Sequence, residues 1–278
     1  MNAPSRRRQS GLTLIELMVA MTLGMILTLA IGQIFMSSRL TSTSTNENAR
    51  MQENARFALA MLERELRMAG FKRNGSTGTF TVAAEAIAVA EGTGLNSSDE
   101  FTVRFFGSDG TVVGTADNTV INCIGEAASL NQAVVDTFYI AAGTGGEPSL
   151  FCRSIRPSDT TVTTTTELIN GIESMQILVG EDTNSDKTAD RYLGPGDGSL
   201  NISNAVAVKV SLLIRSSVAV MEGTDNRKYN HFGQGYAPSD APAAGDPGSV
   251  FNSAGATLTD KRMRRLFPTT VALRNRVN

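Results

Sequence analysis

Residues 11–35 read GLTLIELMVAMTLGMILTLAIGQIF, and this run decides the fold. From Leu12 to Met36 the only charged residue is Glu16 and the only amide is Gln33. As a helix rising about 1.5 Å per residue, the run is about 37 Å long, enough to cross a hydrocarbon core of about 30 Å with some tilt. Arg6, Arg7 and Arg8 precede it and only Arg39 closely follows it, a bias that keeps the N-terminus cytoplasmic and exports the remainder. Glu16 is the anomaly. A carboxylate inside a membrane helix costs roughly 2.5–3.5 kcal/mol on insertion scales, so it calls for a partner.

Working outward, the basic leader MNAPSRRRQS meets the apolar run at Gly11, and Gly11 followed by Leu12-Thr13-Leu14-Ile15-Glu16-Leu17 resembles the type IV prepilin class III signal. The resemblance implies cleavage after Gly11, N-methylation of the new first residue Leu12, and an apolar helix that stays on the protein. Leu12 stands where that family usually has phenylalanine. Glu16 becomes the fifth mature residue, where the family pairs it with the N-terminal amine of a neighbouring subunit. Buried opposite charges offset part of their desolvation cost when the geometry is good, which makes Glu16 a register device. The competing reading is an acid that snorkels to the cytoplasmic interface. Glu16, Ala20, Gly24, Thr28 and Gly32 recur every four residues, a ridge whose small members allow close helix packing.

Beyond Met36 the segment SSRLTSTSTNEN is rich in Ser and Thr, whose helix propensity is low, and the helix is expected to loosen there. Periodicity then returns. Met51, Ala55, Ala58, Leu59, Leu62, Leu66 and Ala69 step by three and four residues, an apolar stripe for a sheet to cover. Arg50, Glu53, Arg56, Glu63, Arg64 and Arg67 lie largely off it, with Glu63 four before Arg67 in the favourable order. Gly70 ends the pattern as a helix C-cap glycine does.

After Gly70 short alternating runs replace the helical period. Residues 100–106, 137–141 and 205–215 read as strands, and RRLFPTTVALRNRV adds one at the C-terminus with Pro268 at its start or at an edge. The run Thr160–Thr166 reads as an exposed extended segment. Helix first and strands after give an α+β fold: a long N-terminal α-helix, its first half membrane-spanning and its second half amphipathic, packed on an antiparallel β-sheet. The expected organisation is a leader at 1–11, a transmembrane or filament-core helix at 12–36, its amphipathic continuation at 37–70, and an exported β-rich domain at 71–278 with a long loop at 223–261.

RMQENARFALAMLERELRMAGF, Asp136–Tyr139, Leu150–Cys152, GIESMQILVGEDTNSDKTADRY and the final TTVALRN resemble the PilW family of type IV pilus minor pilins. That resemblance implies a non-enzymatic structural subunit that helps prime pilus assembly at the tip, supporting adhesion, twitching motility and DNA uptake. The implied partners are other minor pilins, the major pilin, the prepilin peptidase and N-methyltransferase, the assembly platform and a tip adhesin. The implied location is the bacterial inner membrane, single pass with a periplasmic C-terminal domain, and then the pilus tip. The rival is a minor pseudopilin of a type II secretion system, which shares the signal, the helix and a sheet domain.

Charge and cysteines agree with export. Loss of residues 1–11 removes three arginines and no acids, leaving 22 basic against 27 acidic side chains, so general nucleic-acid binding is not expected. Cys123 and Cys152, an even pair in an oxidising compartment, are expected to form a disulfide. Asp182, Asn184, Asp186, Thr188 and Asp190 have the 1-3-5-7-9 spacing of a calcium loop, but Lys187 replaces the glycine of position six and Leu193 the acid of position twelve. A polar hairpin turn is the favoured reading, with weak calcium binding as the alternative and no other cofactor expected. His231 reads as a solvated loop histidine, and Lys261, Arg262, Arg264, Arg265, Arg274 and Arg276 as a solvated strand face. No catalytic or phosphate-binding motif is present.

Overall fold

The computed structural model describes residues 13–80, 83–157, 159–233, 250–252 and 254–275. The chain divides into two compact units, the first ending at Asn46 and the second beginning at Glu47. Helix α1, Leu14–Met68, runs through both.

In the first unit the helix does not loosen where its sequence turns polar. Thr41, Thr43 and Thr45 each donate their hydroxyl to the carbonyl four residues back, at 2.9–3.0 Å. A hydroxyl bonded along its own helix no longer competes for the backbone, and this offsets the low propensity of the Ser/Thr run. The guanidinium of Arg39 lies 4.4 Å from the Phe35 ring, at the end of the apolar run.

In the second unit the expected stripe is buried: Met51, Ala55, Ala58, Leu62, Leu66 and Ala69 are at most 3% exposed, with Leu59 half-buried. Gly70 takes φ +74, and a Cβ there would come within 2.5 Å of the Asn275 carbonyl oxygen, so both conformation and space require glycine. The Asn275 side chain donates to the Arg67 carbonyl at 3.0 Å, capping the last turn from the far end of the sequence.

The expected antiparallel sheet is present as two. The first is a meander of β1 (Ile87–Ala90), β2 (Glu100–Phe106), β3 (Ala133–Ala142), β4 (Pro148–Arg156) and β5 (Asp159–Asn170), in that order. The second contains β6 (Ile172–Glu181), β7 (Arg191–Leu193), β8 (Ala205–Arg215) and β11 (Arg264–Ala272), ordered β11-β8-β6-β7. Gly171, with φ +81, turns the chain from one sheet into the other; its N–H donates to Pro148 and its carbonyl accepts from Arg215. Phe101, Val103 and Phe105 of β2 and Val208, Val210, Leu212 and Ile214 of β8 join the helix stripe in one core. Burying each such large side chain is worth about 1.5–3 kcal/mol. The edge of β6 is closed by the segment before β2, where Asp99 donates its N–H to the Met175 carbonyl and accepts from the Ile177 N–H at 2.9 Å. This is why Ser98 and Asp99 are buried although polar.

The stretch 223–261 is not the structureless loop its composition suggests. Asp225 bridges Leu258, and β9 (Tyr229–Asn230) pairs with β10 (Val250–Phe251), while residues 234–249 lie outside the described ones. This layer lies on the second face of β8, so Ser211 and Leu213 are fully buried as well as the alternating valines. The exposed run Thr160–Thr166 falls on β5, an edge strand, and Pro268 on β11, another edge strand.

Candidate assembly site

Gly11 and Leu12 lie outside the described residues. The next residue opens the helix. Thr13 donates its N–H and its hydroxyl to Glu16 Oε2, both at 2.9 Å, and its hydroxyl oxygen accepts the Glu16 N–H at 3.3 Å. This is a capping box, in which an N-cap threonine and the acid three residues on satisfy each other's orphan donors. The signal was present in the sequence as Thr-x-x-Glu, and the charge of Glu16 drew attention away from it.

From Leu14 to Met36 the large apolar side chains are all at least half exposed, a surface that water alone does not leave uncovered. Ile15, Glu16, Val19, Ala20 and Leu23 line a shallow groove of about 300 Å³. At Gly24 and Gly32 an added Cβ would meet nothing within 4 Å, so the ridge formed with Glu16, Ala20 and Thr28 is open. The Thr28 hydroxyl donates to the Gly24 and Met25 carbonyls, both at 2.9 Å, so no neighbour is needed to satisfy it.

The second unit is locked by three sets of polar contacts. Cys123 and Cys152 are disulfide-bonded, with Cα atoms 6.4 Å apart. Beside them Asp136 is buried and accepts the Cys123 N–H at 2.7 Å; burial pushes its carboxyl up to about 6. On the helix, burial and then the charge of Asp136 push Glu65 up to about 7, with Arg64 opposing.

Secondly, the C-terminal basic cluster is not a solvated face. Arg264 is buried, and its guanidinium meets Glu173 at 2.6 and 3.0 Å and Asp260 at 2.5 Å. Arg215 and Arg262 both reach Glu147, at 2.8 and 2.7 Å. Hydrogen bonds from Arg262, stronger than the opposing burial, hold Glu147 below the usual carboxylate range. Lys261, Arg265 and Arg274 are exposed as expected, and Arg276 lies outside the described residues.

Thirdly, the acidic loop between β6 and β7 is held by its own backbone. Asp182 accepts the Ser185 and Lys187 N–H groups at 2.6 and 2.8 Å, Asp186 accepts that of Thr188 at 2.8 Å, and Asp190 that of Thr183 at 2.7 Å. The Asn184 amide donates to both Asp186 and Asp190. Lys187 adopts φ +70 at the position where a calcium loop places glycine.

His231 departs from expectation most. It is 3% exposed, its Nδ1 lies 3.0 Å from Ser211 Oγ, and burial drives its pKa down to about 3. The segment carrying β9, laid over β8, encloses it, which composition alone did not show.

Comparison with known proteins places this architecture. Residues 6–32 match the prokaryotic N-terminal methylation motif, and residues 137–275, half of the chain, match type IV pilus-assembly protein W. The chain belongs to the PilW family. A type IV-like pilin from Thermus thermophilus is similar in structure, with 13% identity over 82% of this chain and 99% of that one and a TM-score of 0.45, too distant a likeness to add to the fold above. No curated protein sequence matches. PilW-family pilins are structural subunits rather than enzymes, and the methylation motif together with the apolar helix is consistent with membrane anchoring. The matched half begins within β3 and ends at the helix-capping Asn275, so it holds Cys152, both sides of the Glu173–Arg264 pair and His231. Glu147 and Glu173 drew no attention in sequence because each meets its arginine partners from distant segments.

Proposed function

We propose that this PilW-family chain is a minor pilin of the type IV pilus, cut after Gly11, N-methylated at Leu12 and held in the inner membrane by residues 12–36 until it enters the pilus. It acts near the tip, where it helps prime assembly with other minor pilins and the major pilin, and adhesion, twitching motility and DNA uptake are then properties of the finished pilus. The observation that carries the reading is the capped, largely apolar and exposed helix surface beginning at Thr13, which carries one carboxylate and one open ridge. In the membrane lipid covers that surface; in a filament neighbouring helices do, with Ala20, Gly24, Thr28 and Gly32 allowing close approach. Glu16 then exchanges the Thr13 N–H for the methylated amine of an adjacent subunit, a charge-assisted contact that a helix misplaced by one turn cannot make.

Intact-mass and N-terminal sequencing of the protein from its native membrane, with and without the prepilin peptidase, tests this. The expected product begins at methylated Leu12 only when the peptidase is present. An uncleaved Met1 or Asn2 start with the peptidase present would overturn it.

A further inference from the structure

The outer strands of a sheet present unpaired N–H and C=O groups that can template another chain, and proteins blunt them with short strands, lysine, proline, inward-pointing charges or bulges. The two large sheets have four such edges, and three are blunted. β1 and β7 have only four and three residues, and β11 carries Pro268 together with the buried Arg264. β5 differs. It runs twelve residues, holds no lysine, arginine or proline, and pairs only with β4 among the described residues. Its irregularities lie towards its ends, where the pairing with β4 shifts at Leu168 and between Asp159 and Thr163. Thr163–Glu167 between them is regular, and Thr163, Thr165 and Thr166 are exposed. Both acids of the strand are already engaged: Asp159 accepts the Thr161 N–H at 3.0 Å, and Glu167 accepts the Ser149 hydroxyl at 2.7 Å.

We propose that this edge pairs with the same edge of a second copy of the chain, antiparallel, about a two-fold axis through Thr165. A foreign strand would need a feature to recognise, whereas this edge offers one repeated residue and no free charge, a surface complementary to itself. The place of the axis follows from the irregularities, because the regular run pairs along its whole length only when its middle residue faces its own copy. Thr164 then opposes Thr166 and Thr163 opposes Glu167, so threonine pairs form and no like charges meet. An axis at Thr163 would set Asp159 against Glu167. Past the run, Val162 of each copy comes alongside Leu168 of the other, next to a groove of about 340 Å³ lined by the exposed Phe57 with Leu168 and Ile169. The interface draws on the second unit alone and does not depend on the role proposed above.

The test uses the full chain in detergent. Sedimentation velocity should show monomers in equilibrium with dimers, and Thr165→Lys, which sets two ammonium groups opposite each other, should weaken the dimer at least tenfold. Thr165 is exposed, so the melting curve should not move. A chain that stays monomeric would overturn the proposal, and so would a dimer that Thr165→Lys leaves intact, the result expected if the apolar helix alone held it. Oxidative cross-linking of single-cysteine variants reads the register, since directly opposed residues of an antiparallel pair lie within disulfide reach. Thr165→Cys should yield a covalent dimer. Thr163→Cys should not, because its two copies would lie four residues out of step, about 13 Å apart. No cross-link at position 165, or equal cross-linking at both positions, would also overturn the proposal.

Discussion

Glu65 of the helix and Asp136 of β3 place two carboxyl groups in one core: each is at most 1% exposed, each keeps one oxygen without a hydrogen-bond partner, and the charge of Asp136 acts on Glu65. Their folded-state values, about 7 and about 6, lie above the ordinary 4.5 and 3.8. The folded protein therefore binds more protons than the unfolded chain between these limits, and stability is full below about pH 4 and falls as pH rises through 7. At 1.36 kcal/mol per unit, the raised Glu65 alone contributes on the order of 3 kcal/mol. Urea melts should show the second unit less stable at pH 8 than at pH 5, and Glu65→Gln should flatten the profile. A profile that rises with pH would refute the pairing.

Arg264 and Glu173 are buried and bidentate, 91 residues apart in sequence. Removing Arg264 leaves the buried Glu173 with only a long, 3.4 Å contact to Arg215, so Arg264→Ala should cost about 3 kcal/mol. Replacing both by Met and Leu should recover much of that loss, because the burial of two ions is also avoided. Urea midpoints of the two variants decide the matter, and a double variant no better than the single would count against it.

These pairs mark where sequence reading stops. The helix stripe from Met51 to Ala69 was legible because a 3.6-residue period is local, and β2 because Phe101, Val103 and Phe105 alternate. The ten residues of β6 are all buried, on both faces, so no alternation distinguishes its inner side. His231 and Arg264 were misread for one reason: composition labels a segment polar, but burial depends on which distant segment lies over it. The second layer on β8 comes from residues with no periodicity at all. At the candidate site Glu16 and the open ridge were legible, while the capping role of Thr13 lay in plain view as a four-residue motif.

The disulfide spans 29 residues of sequence, and closing such a loop is worth about 3–4 kcal/mol in the chain-entropy model. Cys123→Ser with Cys152→Ser should lower the urea midpoint accordingly. Alkylation of the native protein before reduction should label no thiol, and labelling of both would contradict the bridge.

Asp182 holds two backbone N–H groups and is 4% exposed, whereas Asp186 is exposed. Asp182→Ala should therefore cost about 1–3 kcal/mol, the penalty for orphaned buried donors, and Asp186→Ala under about 1 kcal/mol. As a turn held by its own amides, the loop should melt identically in millimolar calcium and in chelator. A rise in melting temperature with calcium that Asp182→Ala and Asp190→Ala both remove would instead establish a cation site.

Glu16 does two things that substitution can separate. Its carboxylate closes the capping box on Thr13, and under the proposed function its charge meets the amine of a neighbouring subunit. Glutamine is also accepted at that position of a capping box, so Glu16→Gln keeps the cap and removes the charge, while Thr13→Val weakens the cap and keeps the charge. All three variants, with Glu16→Ala, should still be cleaved at the Gly11 junction, since the basic leader and the glycine are intact. If charge sets register, Glu16→Ala and Glu16→Gln should both fall at least tenfold in the amount recovered from sheared pili, and Thr13→Val should remain near wild type. If Glu16→Gln enters pili normally while Thr13→Val fails, capping is the function and the register role is wrong.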